Sequence, residues 1–136
     1  MVEISIVYRG GLHTEATHGP SGRTMDTDAP VDNGGRGESF SPTDLVATAL
    51  GTCMLTIMAK VADRDGIPLE GARVKVTKHM VADPARRIRM LDVEFTLPDV
   101  EERDRKKLER AALTCPVHRT LGDNVEIPVR FGWGEL

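Results

Sequence analysis

The sequence predicts an α+β protein with the element order βββ-α-ββ-αα-β. Two observations carry this prediction. Short β-forming segments come in runs instead of alternating with helices, which sets aside a doubly wound parallel sheet. One long helical segment, uncharged from Leu45 to Ala59, separates the first strands from the rest. A length of 136 residues, 40% apolar and 29% charged, fits a single folded domain over 1–136 and lies far from the composition of disorder.

The elements follow in order. Residues 2–8 place Val2, Ile4, Ile6 and Tyr8 at alternate positions, the period of a strand. The Arg9-Gly10-Gly11 turn permits a hairpin into a polar second strand, 12–18, and Pro20-Ser21-Gly22 turns the chain into a short extended segment, 23–28. Residues 29–39 are rich in Gly and turn formers, have no period of their own and read as a loop of the kind that often sits beside a site.

The long helix has a full start signal. Ser41 is a good N-cap, Pro42 suits the first helical position, and Asp44 is placed to return a capping-box bond. Gly66 ends it about 23 residues later as a left-handed cap. A helix this apolar needs cover on most sides, more than one small chain supplies, and a second copy would provide it.

Residues 69–80 and 87–97 read as strands around an Asp83-Pro84 turn. A second helix is expected over 99–113, capped by Asp99, with the charged run Glu101–Lys107 in solvent and Leu108, Ala111 and Ala112 inward. Cys115-Pro116 opens a further helical turn through Leu121, residues 122–124 form a loop, and 125–131 is the last strand.

Several function classes are disfavoured. A net charge of −3 and 4% aromatic residues leave little with which to hold phosphates or stack bases, so no nucleic-acid partner is expected. No basic leader precedes an apolar stretch and no uncharged run reaches 18 residues, so a cytoplasmic protein without membrane association is expected. Cys53, Cys115 and His118 fall short of the four ligands of a structural zinc site, so no metal is expected, and His13, His18 and His79 form no interpretable spacing.

The two cysteines stand 62 residues apart, outside any CxxC pair. Cys115 has a local reason to be acidic, since it caps the helix opened by Pro116. Cys53 lies deep within its helix, so a reactive Cys53 would need a cation from elsewhere, with Arg9, Arg23 and Arg36 as candidates. Composition and pattern leave two readings open, inert core cysteines and redox chemistry.

The segments Ser41-Pro42-Thr43-Asp44-Leu45 and Ala49-Leu50-Gly51-Thr52-Cys53, followed by Cys115-Pro116-Val117-His118, resemble the signature regions of the OsmC/Ohr family, the osmotically inducible protein C and organic hydroperoxide resistance proteins. The resemblance implies an obligate, intertwined homodimer with antiparallel sheets around two central helices. It also implies a cysteine-based peroxidase that reduces organic hydroperoxides and acts in the oxidative stress response.

Carried over by residue, Cys53 is the peroxidatic and Cys115 the resolving cysteine, closing an intramolecular disulfide that an external thiol or lipoyl-type dithiol reopens, with no bound cofactor. Arg9 matches the activating arginine. Thr43, Met54, Ile57 and Met58 would line an apolar substrate pocket. The family's glutamate is replaced by Thr43, which leaves Asp44 or Glu38 as the carboxylate. At 100° per residue Asp44 lies about 180° around the helix from Cys53, which suits a cap better than an activator. The departure also keeps open a rival, an OsmC-type fold that binds a small hydrophobic ligand without turnover.

Overall fold

The computed structural model describes residues 1–136 as two compact units, 1–46 and 47–136. In the first, β1 (Ile4–Gly10), β2 (His13–His18) and β3 (Thr24–Asp28) form an antiparallel sheet in the order β1-β2-β3. The Gly10-Gly11-Leu12 turn has φ of 84°, 62° and 59° in succession, and two glycines relieve most of its steric cost. Loop 29–39 is held by backbone bonds from Gly35 N–H to Pro30 O (3.0 Å) and from Gly37 N–H to Ala29 O (3.2 Å). A Cβ on Gly35 would fall 1.8 Å from Ala29 O, so this closure requires glycine. No apolar residue of this unit is buried. Thr27, Asp28 and Ser41 are its buried residues, while Ile4, Ile6, Val7, Tyr8 and Met25 are exposed.

Helix α1 (Pro42–Asp65) starts as its sequence predicts. Asp44 N–H donates to Ser41 Oγ (3.1 Å), and Ser41 N–H donates to Asp44 Oδ2 (2.9 Å), a reciprocal capping box. It ends where Ile67 N–H reaches Ala62 O (2.8 Å) beside Gly66 at φ 68°. By length and hydropathy α1 is apolar enough to cross a membrane, and about 33% of that stretch is buried. Cover on most sides was expected. Within the single chain the buried positions Ala47, Leu50, Gly51, Met54, Met58 and Ala62 form one face, and Thr48, Ala49, Thr52 and Thr56 are exposed.

In the second unit β4 (Arg73–Val81), β5 (Arg87–Leu97) and β6 (Val129–Trp133) form a sheet in the order β4-β5-β6. β5 buries Leu91, Val93, Phe95 and Leu97 at strict period two, each contributing about 1.5–3 kcal/mol. Phe95 stacks on Phe131 with ring centroids 5.1 Å apart. Gly51 lets α1 approach β4 closely, since a Cβ there would lie 2.8 Å from Val76 Cγ2. Helix α2 (Glu102–Leu113) buries Leu108 and Ala112 and turns its charged run outward, and α3 (Pro116–Leu121) follows directly.

Four expectations need correction. β4 begins at Arg73, not 69, because the chain turns at Glu70-Gly71 with Gly71 at φ 86°. The last strand is 129–133, not 125–131, because Pro128 has no N–H to give the ladder, although Leu91 N–H still bonds Glu126 O (2.8 Å) upstream. This strand also pairs with β5 in parallel, so the second sheet is mixed where an antiparallel one was expected. Asp99 does not cap α2. Glu101 holds that position, and Asp99 receives a hydrogen bond from Arg105 at 2.5 Å.

Candidate active site

Cys53 sits on α1 at the margin between the buried face and the exposed one, partly accessible. Cys115 follows α2 in extended conformation (φ −63°, ψ 144°) and is fully buried. Its Sγ accepts a hydrogen bond from His118 N–H (3.2 Å), so the thiol itself caps α3. Folding brings Cys53 close enough to Cys115 to act on its thiol, and neither sulfur is in a disulfide.

The acidity expected of Cys115 is not found. Burial, the largest influence, pushes its thiol up, and the neighbouring Cys53 pushes it further. The amides of His118 and Val117 pull the other way without prevailing. A helix start favours a thiolate, but removing the sulfur from water outweighs it.

The pocket residues divide. Relative to Cys53, Ile57 lies about 40° around the helix, whereas Met54 and Met58 lie about 100° and 140° away, on the buried face. Met54 and Met58 are therefore core residues, fully buried with Leu50, and the expectation that they line a pocket is corrected. Ile57 is half-buried and remains beside Cys53. Asp44 is engaged in the capping box through Oδ2, the capping role that suits its angle from Cys53, and Thr43 Oγ1 is 3.3 Å from Ser41 Oγ.

Arg9 belongs to the sheet unit, where its guanidinium donates to Glu15 across the hairpin (3.0 Å). It lines a cleft of ≈ 430 Å³ with His13, Asp28, Arg36 and Glu38. Asp28 is 4% exposed, accepts from His13 Nδ1 (2.6 Å) and from Glu38 N–H (3.2 Å), and raises the His13 pKa chiefly through the first of these bonds. Sequence reading missed the His13–Asp28 and Arg9–Glu15 pairs. Only the strand register, which sets His13 opposite Asp28, reveals the first. No cluster of metal-ligating side chains is present.

The profile of OsmC-like proteins matches residues 35–130. The chain belongs to the OsmC-like family. A Psychrobacter arcticus protein, described as a candidate osmotic stress induced and detoxification response protein, is 40% identical over 96% of both chains, with a TM-score of 0.91. The fold is shared with an organic hydroperoxide resistance protein OsmC from Legionella pneumophila (18% identity, 97% and 96% coverage, TM-score 0.78). It is shared also with an organic hydroperoxide resistance protein from Elizabethkingia anophelis (16% identity, 97% and 95% coverage, TM-score 0.76). Among curated proteins none matches the chain significantly.

Proposed function

We propose that this OsmC-like protein is a thiol-dependent peroxidase that reduces organic hydroperoxides through Cys53 and Cys115. The observation that carries this reading is the proximity of two free cysteines from segments 62 residues apart, close enough that Cys53 raises the Cys115 pKa. Accessibility assigns the roles. Cys53 is partly exposed and meets the peroxide, whereas Cys115 is buried against it and acts second.

The Cys53 thiolate attacks the terminal oxygen of the hydroperoxide. The O–O bond breaks, the alkoxide leaves and takes up a proton as alcohol, and Cys53 becomes a sulfenic acid. The Cys115 sulfur then attacks Cys53 Sγ, water departs, and an intramolecular disulfide closes. An external thiol or lipoyl-type dithiol reduces it and is itself oxidised to a disulfide. Ile57, half-buried beside Cys53, contributes apolar surface.

The working unit is a homodimer in the cytoplasm. The uncharged exposed stripe Thr48, Ala49, Thr52 and Thr56 on α1, and a sheet unit without a buried apolar residue, are surfaces that a second copy would cover. The protein should consume cumene hydroperoxide in the presence of a dithiol. Cys53→Ser should abolish turnover and Cys115→Ser should leave sulfenic acid on Cys53. A normal rate in Cys53→Ser would overturn the proposal. A protein inactive in every form that is stabilised by a small apolar ligand would point to the binding alternative.

A further inference from the structure

The polar cleft of ≈ 430 Å³ in the first unit draws its walls from three segments. Arg9 and Gly11 come from the hairpin turn, His13 and Asp28 from the paired ends of β2 and β3, and Arg36 and Glu38 from loop 29–39. None of the exposed apolar residues of this unit, the surface a second copy would cover, lines it. Its volume falls within the ~300–1,000 Å³ of small-molecule sites, and its charged lining suits a ligand that is itself polar.

The charges around the cleft divide into engaged and free ones. Arg9 donates to Glu15 at 3.0 Å. His13 sets Nδ1 against the buried Asp28 at 2.6 Å, and its Nε2 lies 3.9 Å from Asp26 Oδ2, so both ring nitrogens face carboxylates. Arg36 and Glu38 are left over. Both are exposed, neither side chain makes an ion pair, and they do not pair with each other although they stand two residues apart. Their backbone is nonetheless fixed. Gly35 N–H and Gly37 N–H bond back to Pro30 O and Ala29 O, and Asp28 Oδ2 accepts Glu38 N–H at 3.2 Å. One unpaired cation and one unpaired anion therefore border the same space from an anchored loop, which lowers the ordering cost of binding.

We propose that this cleft binds a small zwitterion of the α-amino acid class, its carboxylate on the Arg36 guanidinium and its ammonium on the Glu38 carboxylate. A guanidinium presents parallel N–H donors that a carboxylate accepts together, and a carboxylate accepts the N–H groups of an ammonium. A simple anion would reach Arg36 and meet Glu38 as a like charge; a simple cation would meet the reverse. A ligand with both charges satisfies both walls and leaves the net charge of the cleft unchanged. Gly10 and Gly11 leave room for the ligand's own side chain, since a Cβ on either would meet nothing within 4 Å. Every residue invoked lies within 1–46, so the inference stands apart from the chemistry of Cys53 and Cys115.

The test is a titration of ¹⁵N-labelled protein, both cysteines reduced and no peroxide present, with L-alanine, L-leucine and L-glutamine at neutral pH. Saturable shifts of the Gly11, Arg36 and Glu38 amide resonances are expected with at least one of the three. Arg36→Gln and Glu38→Gln should each weaken that binding by about tenfold or more, the scale of a hydrogen bond to a charged group. Acetate and ethylamine, which carry one charge each, should bind wild type more weakly by a similar factor. An unchanged urea midpoint shows that these exposed substitutions leave the fold intact; if either variant unfolds, the comparison of amino acids with acetate and ethylamine on wild type decides. No saturable shift with any of the three amino acids overturns the proposal, as does binding that neither substitution weakens. Acetate binding as tightly as the amino acids overturns it in favour of a plain anion site. Loss or absence of peroxidase turnover bears on the cysteine pair alone and leaves this result unaffected.

Discussion

Replacing Asp44 with alanine separates a structural carboxylate from a catalytic one. The structure gives Asp44 two bonds in the capping box: its carboxylate accepts Ser41 N–H at 2.9 Å, and its amide donates to Ser41 Oγ at 3.1 Å. Asp44→Ala removes the first and keeps the second. Losing one side of a cap costs about 1 kcal/mol. Losing a negative charge from the first turn of a helix adds about 0.5 kcal/mol. Ser41 is nearly fully buried, so its freed amide finds no water to replace the lost acceptor, which places the total near 1.5 kcal/mol. With a urea slope of about 2 kcal/mol/M, the unfolding midpoint should fall by about 0.7 M at fixed protein concentration. Cumene hydroperoxide reduction, assayed well below the melting temperature, should stay within about twofold of wild type, since surface and cap changes act on stability and not on the barrier. Unchanged stability with a rate loss of tenfold or more would refute this reasoning and restore Asp44 as an activating carboxylate.

Other outcomes follow from the same structure. Gly51→Ala should destabilise the second unit by about 1–3 kcal/mol through the clash with Val76, and Val76→Ala should restore part of the loss in a double-mutant cycle. Iodoacetamide should label Cys53 well before Cys115 at pH 8, and Cys115 should stay largely protonated there because its pKa is raised; preferential labelling of Cys115 would contradict the burial seen. His13 should titrate above 6.5 in the folded protein, read by the imidazole proton resonances, and Asp28→Asn should lower that value. Because its folded pKa is raised, the stabilisation from the His13–Asp28 pair is fully present below pH 6.5 and is lost as the pH rises through the folded value.

The legible parts of the fold were those set by local chemistry. Ser41, Pro42 and Asp44 announce the start of α1, Gly66 its end, and the alternation from Leu91 to Leu97 the central strand, because capping and period act within a few residues. Pairing decided what was missed. Nothing near Val129 states that β6 runs parallel to β5, and only the strand register sets His13 opposite Asp28. At the site, motif resemblance singled out both cysteines, and in the fold Cys53 lies near enough to Cys115 to raise its pKa. The acidity of Cys115 was misjudged because an N-cap is visible in sequence whereas burial depends on the whole unit. Met54 and Met58 were misplaced for a related reason. Their apolar character is common to core and pocket, and only the angle around α1 relative to the packed sheet separates the two.

On the proposed function, Cys53 and Cys115 form one redox pair. Peptide mass spectrometry after substoichiometric cumene hydroperoxide, with free thiols counted in parallel, tests it most directly. A redox pair yields a Cys53–Cys115 linkage within one chain and a loss of two thiols for each hydroperoxide consumed. A thiol count that stays at two per chain, with no linked peptide, would contradict it and leave two inert core cysteines.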